Sequence, residues 1–366
     1  MSDSRGLPVW GYSVVLAAMF GSWAQVSADT PSLAADIPAS HYASPEAGRA
    51  LLDLRKQPPE PDFGGDVEAL RRYHEQGTDK LLVTMRELYP VSVNSETLGG
   101  VHTEVVTPQG GVAVGKRHRV LLSLHSGGFL WGAGSEALLE AIPIAATDRI
   151  KVVSIDYRMA PEHRFPAASA DVAAVYRALL KTHRPDEIGI YGCSAGGVLA
   201  AQSVVWFATH GLPSPGAIAS LCGTGAEFDG DSAYLAPLFA GLPATPPGGK
   251  SLQLIRLPYF EGVDPHNPLA FPMTSAELLA RFPPTLLLAG SRDFAASSMT
   301  TMQRRLWECG VDAELFLFDG LGHAFMMDPA LPESRETYGI LARFFDKHLG
   351  RQVTGRAAAG SVTQKP

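Results

Sequence analysis

Three side chains able to form an acyl bond and move a proton stand far apart in the chain: Ser194, Asp293 and His323. Ser194 lies in "IGIYGCSAGGVLAAQSVV", residues 188–205, where Gly192, Ser194 and Gly196 make G-x-S-x-G. A strand-like run precedes the serine and a helix-like run follows it. Such a turn holds a serine in a strained backbone conformation, and the glycines relieve the crowding. Alone, so short a motif fits a glycine-rich strand–helix turn equally well. A serine hydroxyl is a weak nucleophile that needs a base within hydrogen-bond reach, and the base must be oriented by an acid. On a sheet of this kind the partners follow in the order Ser, Asp or Glu, His, each just past a strand end. Asp293 in "TLLLAGSRDFAASS" and His323 in "FLFDGLGHAFMM" meet that order and placement. Asp319 competes as the acid, but it precedes His323 by only four residues and sits on the preceding strand end, so Asp293 is preferred. Cys193 offers a thiol beside the serine but lacks the position between the glycines.

Acyl transfer also needs donors for the oxyanion that develops on the attacked carbonyl. "LLSLHSGGFLWG" supplies a strand ending at His125, then Ser126, Gly127 and Gly128. The N–H groups of Gly127 and Gly128 are candidate donors, with that of Ala195, just after the nucleophile, as the third. His125 precedes the glycines and is expected to organise the loop rather than act as a base. Phe129, Trp131, Phe294, Phe325 and Met326 flank these motifs and are candidates for an apolar acyl or alcohol pocket. Asp229-Gly230-Asp231 lacks the remaining positions of a calcium loop, and no metal or other cofactor is expected.

These residues must be positioned by a scaffold. From Val101 onward, apolar or β-branched runs at Val101–Thr107, Val120–His125, Val152–Ile155, Ile188–Tyr191, Ala217–Leu221, Thr285–Ala289 and Ala313–Phe318 alternate with helical stretches. Near-continuous apolar strands between helices predict a mostly parallel sheet covered on both faces. Two helical patches, Pro45–Lys56 and Val67–Leu88, precede any expected strand and are separated by the proline cluster at 58–61. Residues 226–282 break the rhythm with Pro, Gly and aromatics and are expected to form a lid-like insertion.

Composition limits the alternatives. A chain of 366 residues, 46% hydrophobic, can bury a large core. A net charge of −7 argues against a nucleic-acid partner, and the densest basic cluster, "KRHR" at 116–119, reads as a solvated loop. The three cysteines are widely spaced and form no disulfide framework. Residues 1–28 combine an early Arg, a short apolar run and small residues up to Ala28, as in a secretory signal peptide. Export, periplasmic or secreted, is therefore expected, with a permanent N-terminal membrane anchor as the rival, and no stable span after processing. The tail 350–366 has no apolar period and is expected to be disordered.

The motifs "HSGGF", "DYRMAPEHRFPAA", "GCSAGG", "SRDF" and "GLGHAF", in this order over Val101 to Leu349, resemble the hormone-sensitive-lipase-like group of α/β-hydrolases. The resemblance implies an α/β-hydrolase fold: an eight-stranded, mostly parallel sheet with a helical cap. It divides the chain into N-terminal cap helices (29–100) and a catalytic domain (101–349) carrying a second cap segment (226–282). It also implies carboxylic-ester hydrolysis by Ser194, Asp293 and His323, with Gly127, Gly128 and Ala195 as oxyanion donors. Asp156, Arg158 and Glu162 then belong to a structural turn. Two positions depart from the family pattern. Ser126 replaces a glycine of H-G-G-G, and Cys193 stands where Asp is common. The substrate class implied is a small to medium hydrophobic ester. A lactone is the alternative for the same triad, and a non-catalytic small-molecule receptor on the same fold is disfavoured because all three triad residues are present.

Overall fold

The computed structural model describes residues 37–58, 60–240 and 253–350. The expected signal segment and, apart from Gly350, the expected disordered tail lie outside the described residues. In chain order the elements are α1 (Pro45–Lys56), α2 (Val67–Leu88), β1 (Val91–Leu98), β2 (Val101–Pro108), β3 (Val120–Leu124), α3 (Ser135–Asp148), β4 (Lys151–Ile155) and α4 (Ala167–Leu179). There follow β5 (Ile188–Cys193), α5 (Ala195–Thr209), β6 (Ala217–Leu221), α6 (Asp231–Phe239), the short α7 (Ala276–Leu279), β7 (Thr285–Gly290), α8 (Ala296–Glu308), β8 (Ala313–Phe318) and α9 (Pro332–His348).

Local chemistry sets the boundaries of the first helices. Ser44 caps α1 by accepting from Ala47 N–H, and Pro45 fills its first turn, where no N–H is needed. Asp66 caps α2 in the same way through Ala69 N–H. The strands form one eight-stranded sheet in the order β1-β2-β4-β3-β5-β6-β7-β8. β1 and β2 are an antiparallel hairpin, β2 runs antiparallel to β4, and every neighbouring pair from β4 to β8 is parallel. The central strand β3 is buried at all five residues, so its apolar run needs no alternation. Side chains nevertheless divide by period two. Leu122, Leu124, Ile190, Ile218 and Leu287 pack toward α4, α5 and α8, while Leu121, Val152, Tyr191, Ala219 and Leu288 pack toward α3 and α9.

Two expectations require correction. β1 falls within 29–100, the span expected to hold cap helices alone, so the sheet begins at Val91 rather than Val101. The reason is positional: β1 is an edge strand with no fully buried residue, and so carries no apolar run. The insertion at 226–282 is in part core. Phe228, Tyr259, Phe260, Phe271 and Phe282 join the apolar cluster on the α4–α5 side of the sheet. Among the described residues, no helix is long and apolar enough to cross a membrane.

Candidate active site

The sharpest feature of the backbone is Ser194, which joins β5 to α5 at φ 55° and ψ −118°. That conformation costs a non-glycine residue on the order of 1–3 kcal/mol and persists only where its surroundings impose it. Here they do. Ser194 N–H donates to the Leu221 carbonyl at 2.8 Å, and the Ser194 carbonyl receives Val198 N–H at 3.0 Å. A Cβ on Gly192 would stand 2.3 Å from the Leu124 carbonyl oxygen, and one on Gly196 would stand 1.8 Å from it. Only glycine lets β3, β5 and α5 approach this closely.

Beyond the ends of β7 and β8, the chain brings two more groups to the same rim. His323 Nε2 lies 2.9 Å from Ser194 Oγ, and His323 Nδ1 lies 2.9 Å from Asp293 Oδ1. Asp293 Oδ1 also accepts Ala295 N–H at 2.8 Å, which fixes the carboxylate. An acid on one side of the imidazole dictates the tautomer. Nδ1–H donates to Asp293, and Nε2 is left to accept the Ser194 proton. Phe294 stacks on the imidazole with centroids 4.2 Å apart. Ser194, Asp293 and His323 are all buried, so their attractions are little screened by water. Asp319 is engaged elsewhere, accepting from Ser291 Oγ at 3.1 Å and from Ser40 Oγ.

The candidate oxyanion loop is built by three successive residues of positive φ, Gly127 (95°), Gly128 (60°) and Phe129 (61°). They turn the chain so that Leu130 and Trp131 N–H donate back to the Gly127 carbonyl. A Cβ on Gly127 would meet the Trp131 carbonyl oxygen at 2.1 Å. Among the described residues, the N–H groups of Gly127 and Gly128 have no protein acceptor. Ala195 opens α5, where the first N–H groups are unpaired by construction. His125 stacks on Tyr157 at 4.0 Å, and its Nδ1 lies 2.8 Å from the Ser126 carbonyl. Burial drives its pKa down to about 4, so it is a neutral donor that shapes the loop. Tyr157 adds a hydroxyl donated to the His125 carbonyl at 2.7 Å.

Behind this loop, α3 presents two buried carboxyls that sequence reasoning missed. Glu140 Oε1 accepts Ser126 N–H at 2.8 Å and its Oε2 accepts Cys193 N–H at 3.1 Å. Ser126 Oγ donates to Glu136. Burial first, then the charge of Glu136, push Glu140 up to about 8, while burial raises Glu136. The signal was present: "SEALLEAI" places two glutamates four apart in an otherwise apolar helix, hence on one face. Cys193 is wholly buried with its thiol raised well above the ordinary range, chiefly by desolvation, and its Sγ packs on Met326 Sδ at 3.8 Å. It stays protonated and makes a poor nucleophile.

The five expected pocket residues scatter. Phe325 borders an apolar cleft of about 610 Å³, counting the part open to solvent. His323 lines it too, together with Leu51 and Leu54 of α1, Phe239 of α6 and Arg292. The other four do not border this cleft. Phe294 packs against the imidazole. Phe129 is core, stacked 4.3 Å from Tyr259. Met326 backs Cys193. Trp131 stacks on His74 at 4.0 Å and lines a separate, more polar cleft beneath α2. Phe129 is drawn into the core by Tyr259 of the insertion, which sequence adjacency does not reveal. Arg71 of α2 ties helix to loop by donating to the Leu130 and Ala160 carbonyls and pairing with Glu162 at 2.8 Å. Arg158 pairs with Asp171 at 2.7 Å, so Arg158 and Glu162, two of the three charged residues named in the "DYRMAPEH" turn, are spent on structure. Among the described residues, Cys222, Asp293 and His323 form the one group close enough to share a metal, and two of its three members make the hydrogen bonds just described.

Comparison with known proteins agrees with this fold. Residues 121–327 match a family model described as the alpha/beta hydrolase fold. A versiconal hemiacetal acetate esterase of Emericella nidulans is 34% identical over 33% of this chain and 41% of its own length. An acetyl-hydrolase of Streptomyces hygroscopicus is 26% identical over 63% of this chain and 77% of its own. The crystal structure of an esterase from the bacterial hormone-sensitive lipase family superposes with a TM-score of 0.70 at 26% identity, covering 84% of this chain and 99% of that one. The chain belongs to the α/β-hydrolase family and, within it, to the hormone-sensitive-lipase-like group of carboxylic ester hydrolases.

Proposed function

We propose that this enzyme cleaves small to medium hydrophobic carboxylic esters through an acyl-enzyme on Ser194. His323 Nε2 takes the hydroxyl proton as Ser194 Oγ attacks the ester carbonyl, and Asp293 stabilises the imidazolium that forms. The oxyanion is received by the N–H groups of Gly127, Gly128 and Ala195. His323 returns the proton to the departing alcohol. It then draws one from water, whose oxygen attacks the acyl carbon and frees the acid and Ser194.

The observation that carries this reading is the unbroken relay of two 2.9 Å contacts from Ser194 through His323 to Asp293, beside backbone donors with no protein acceptor among the described residues. The apolar cleft at His323 and the acetate-type substrates in the names of two relatives favour a short acyl group. The test is turnover of p-nitrophenyl esters from acetate to decanoate, alongside labelling by a fluorophosphonate probe. The intact enzyme is expected to label at Ser194 and to prefer the shorter chains. Ser194→Ala is expected to lose both labelling and turnover while remaining folded. Turnover by Ser194→Ala at the intact rate would place the nucleophile elsewhere.

A further inference from the structure

β3 and β5 run parallel, and their last registered pair is Leu124 with Gly192. Beyond that pair the strands diverge into the two segments that carry the oxyanion donors. One runs from His125 to Gly128 and the other from Cys193 to Ala195. No further rung of the β3–β5 ladder joins them. Glu140 supplies one, because its carboxyl accepts Ser126 N–H with one oxygen and Cys193 N–H with the other. Ser126 directly precedes Gly127, and Cys193 is two residues from Ala195.

We propose that Glu140 is a positioning residue which sets the spacing between the two halves of the oxyanion site. The proposal rests on the reading of Ser194 as the nucleophile. Its logic is the match of donors to acceptors. Two buried backbone N–H groups on separate segments need two acceptors on one short, rigid side chain, and a carboxyl provides them. Glutamine has one acceptor. Its amide nitrogen would point N–H against N–H at one of the two segments and push that segment away. The side chain comes from α3, which is itself held to β5 by Tyr191 Oη donating to the Glu140 carbonyl at 3.1 Å. Glu140 is buried, so water cannot substitute for the lost acceptor. A shift of a few tenths of an ångström in Gly127 or Ala195 weakens the grip on the oxyanion while leaving the apolar cleft untouched. The loss therefore falls on kcat rather than on KM.

The experiment compares Glu140→Gln with the intact enzyme, using Thr285→Val as a control. That control removes a buried hydrogen bond, from Thr285 Oγ1 to the Pro283 carbonyl at 2.8 Å, at the start of β7 and away from both segments and from α3. Fluorophosphonate labelling of the intact enzyme comes first, and its absence would overturn the reading of Ser194 and this proposal with it. Given labelling, kcat of Glu140→Gln is expected to fall about ten- to a hundredfold, with KM within about threefold. Inhibition by an alkyl trifluoromethyl ketone, whose adduct with Ser194 carries an oxyanion, is expected to weaken by the same factor as kcat/KM. Thr285→Val is expected to lose thermal stability but not kcat. A fall in kcat less than about fivefold beyond that of Thr285→Val, or ketone affinity unchanged, would overturn the proposal. Should Glu140→Gln fail to fold, Glu140→Asp is judged by the same criteria, since it keeps both acceptors but withdraws them by one methylene.

Discussion

Replacing Asp293 by Asn tests whether the chemistry depends on a charge behind the imidazole. Asp293 Oδ1 lies 2.9 Å from His323 Nδ1, which puts the two centres of charge about 4 Å apart once the imidazole is protonated. At an effective dielectric of about 20 that separation is worth about 4 kcal/mol. The attraction exists only while the imidazolium does, from attack on the carbonyl to departure of the alcohol. Its loss therefore lowers kcat by about a thousandfold and leaves KM nearly unchanged. Misdirection of the tautomer adds to the loss, because an amide nitrogen facing Nδ1 would require a proton on Nε2, where the serine needs an acceptor. Stability should not follow activity. The amide matches the carboxylate in shape, and removing a wholly buried charge offsets the hydrogen bond weakened at Ala295 N–H. Steady-state kinetics on p-nitrophenyl butyrate and a thermal melt of the same sample make the test, with Asp319→Asn as comparator. A kcat within about tenfold of the intact enzyme would refute Asp293 as the orienting acid. A larger loss in Asp319→Asn than in Asp293→Asn would transfer the role to Asp319.

Two further outcomes follow from the oxyanion loop. Gly127→Ala puts a Cβ 2.1 Å from the Trp131 carbonyl at a φ of 95°, so it is expected to cost about 3 kcal/mol or more and to remove most activity. Gly111→Ala, at a φ of 76° but with nothing within 4 Å, bears the backbone strain alone and should cost about 1–2 kcal/mol. Equal melting temperatures for the two would show that the close approach at Gly127 does not matter. His125 is held near a pKa of about 4 by burial, whereas the unfolded chain titrates near 6.5. Between those values the unfolded chain binds a proton that the folded chain refuses, so this contribution to stability is complete above pH 6.5 and declines as pH falls toward 4. The full window is worth about 3 kcal/mol. Denaturant melts of the intact protein and of His125→Gln at pH 7 and pH 4 should show the gap in stability between them shifting by that amount against the intact protein. A gap that is independent of pH would refute it.

What the sequence disclosed and what it withheld divide along physical lines. The elbow at Ser194 and the loops bearing Asp293 and His323 were legible because buried parallel strands are nearly all apolar. A polar residue just past such a strand stands out, and the order along the chain narrows the choice. β1 was not legible as a strand. It lies at the sheet edge with no fully buried residue, leaving only the Val91–Val93 alternation and the two-residue Gly99-Gly100 turn to mark it. Pocket residues were the least legible. Phe129 follows the oxyanion glycines directly, yet its ring is captured by Tyr259 from a distant insertion. Leu51 and Leu54, which do line the cleft at His323, come from a helix read only as part of the cap.

The two departures from the family pattern find a common account in α3. A serine at position 126 brings a hydroxyl into a buried loop, where an unpaired donor is costly. A cysteine at 193 puts a thiol, weak as an acceptor, where the family commonly has a carboxylate. Both are met from one helix face: Glu136 takes the Ser126 hydroxyl, and Glu140 takes the backbone N–H of Ser126 and of Cys193. The acceptors for these groups thus come from a helix packed behind the loops. Two carboxyls four residues apart in an apolar environment repel when both are charged, so the arrangement carries an energetic penalty that a core of leucines would not. A penalty of that kind is tolerated where the backbone must be held to a fraction of an ångström, and here the backbone so held is the pair of segments that meet beside Ser194.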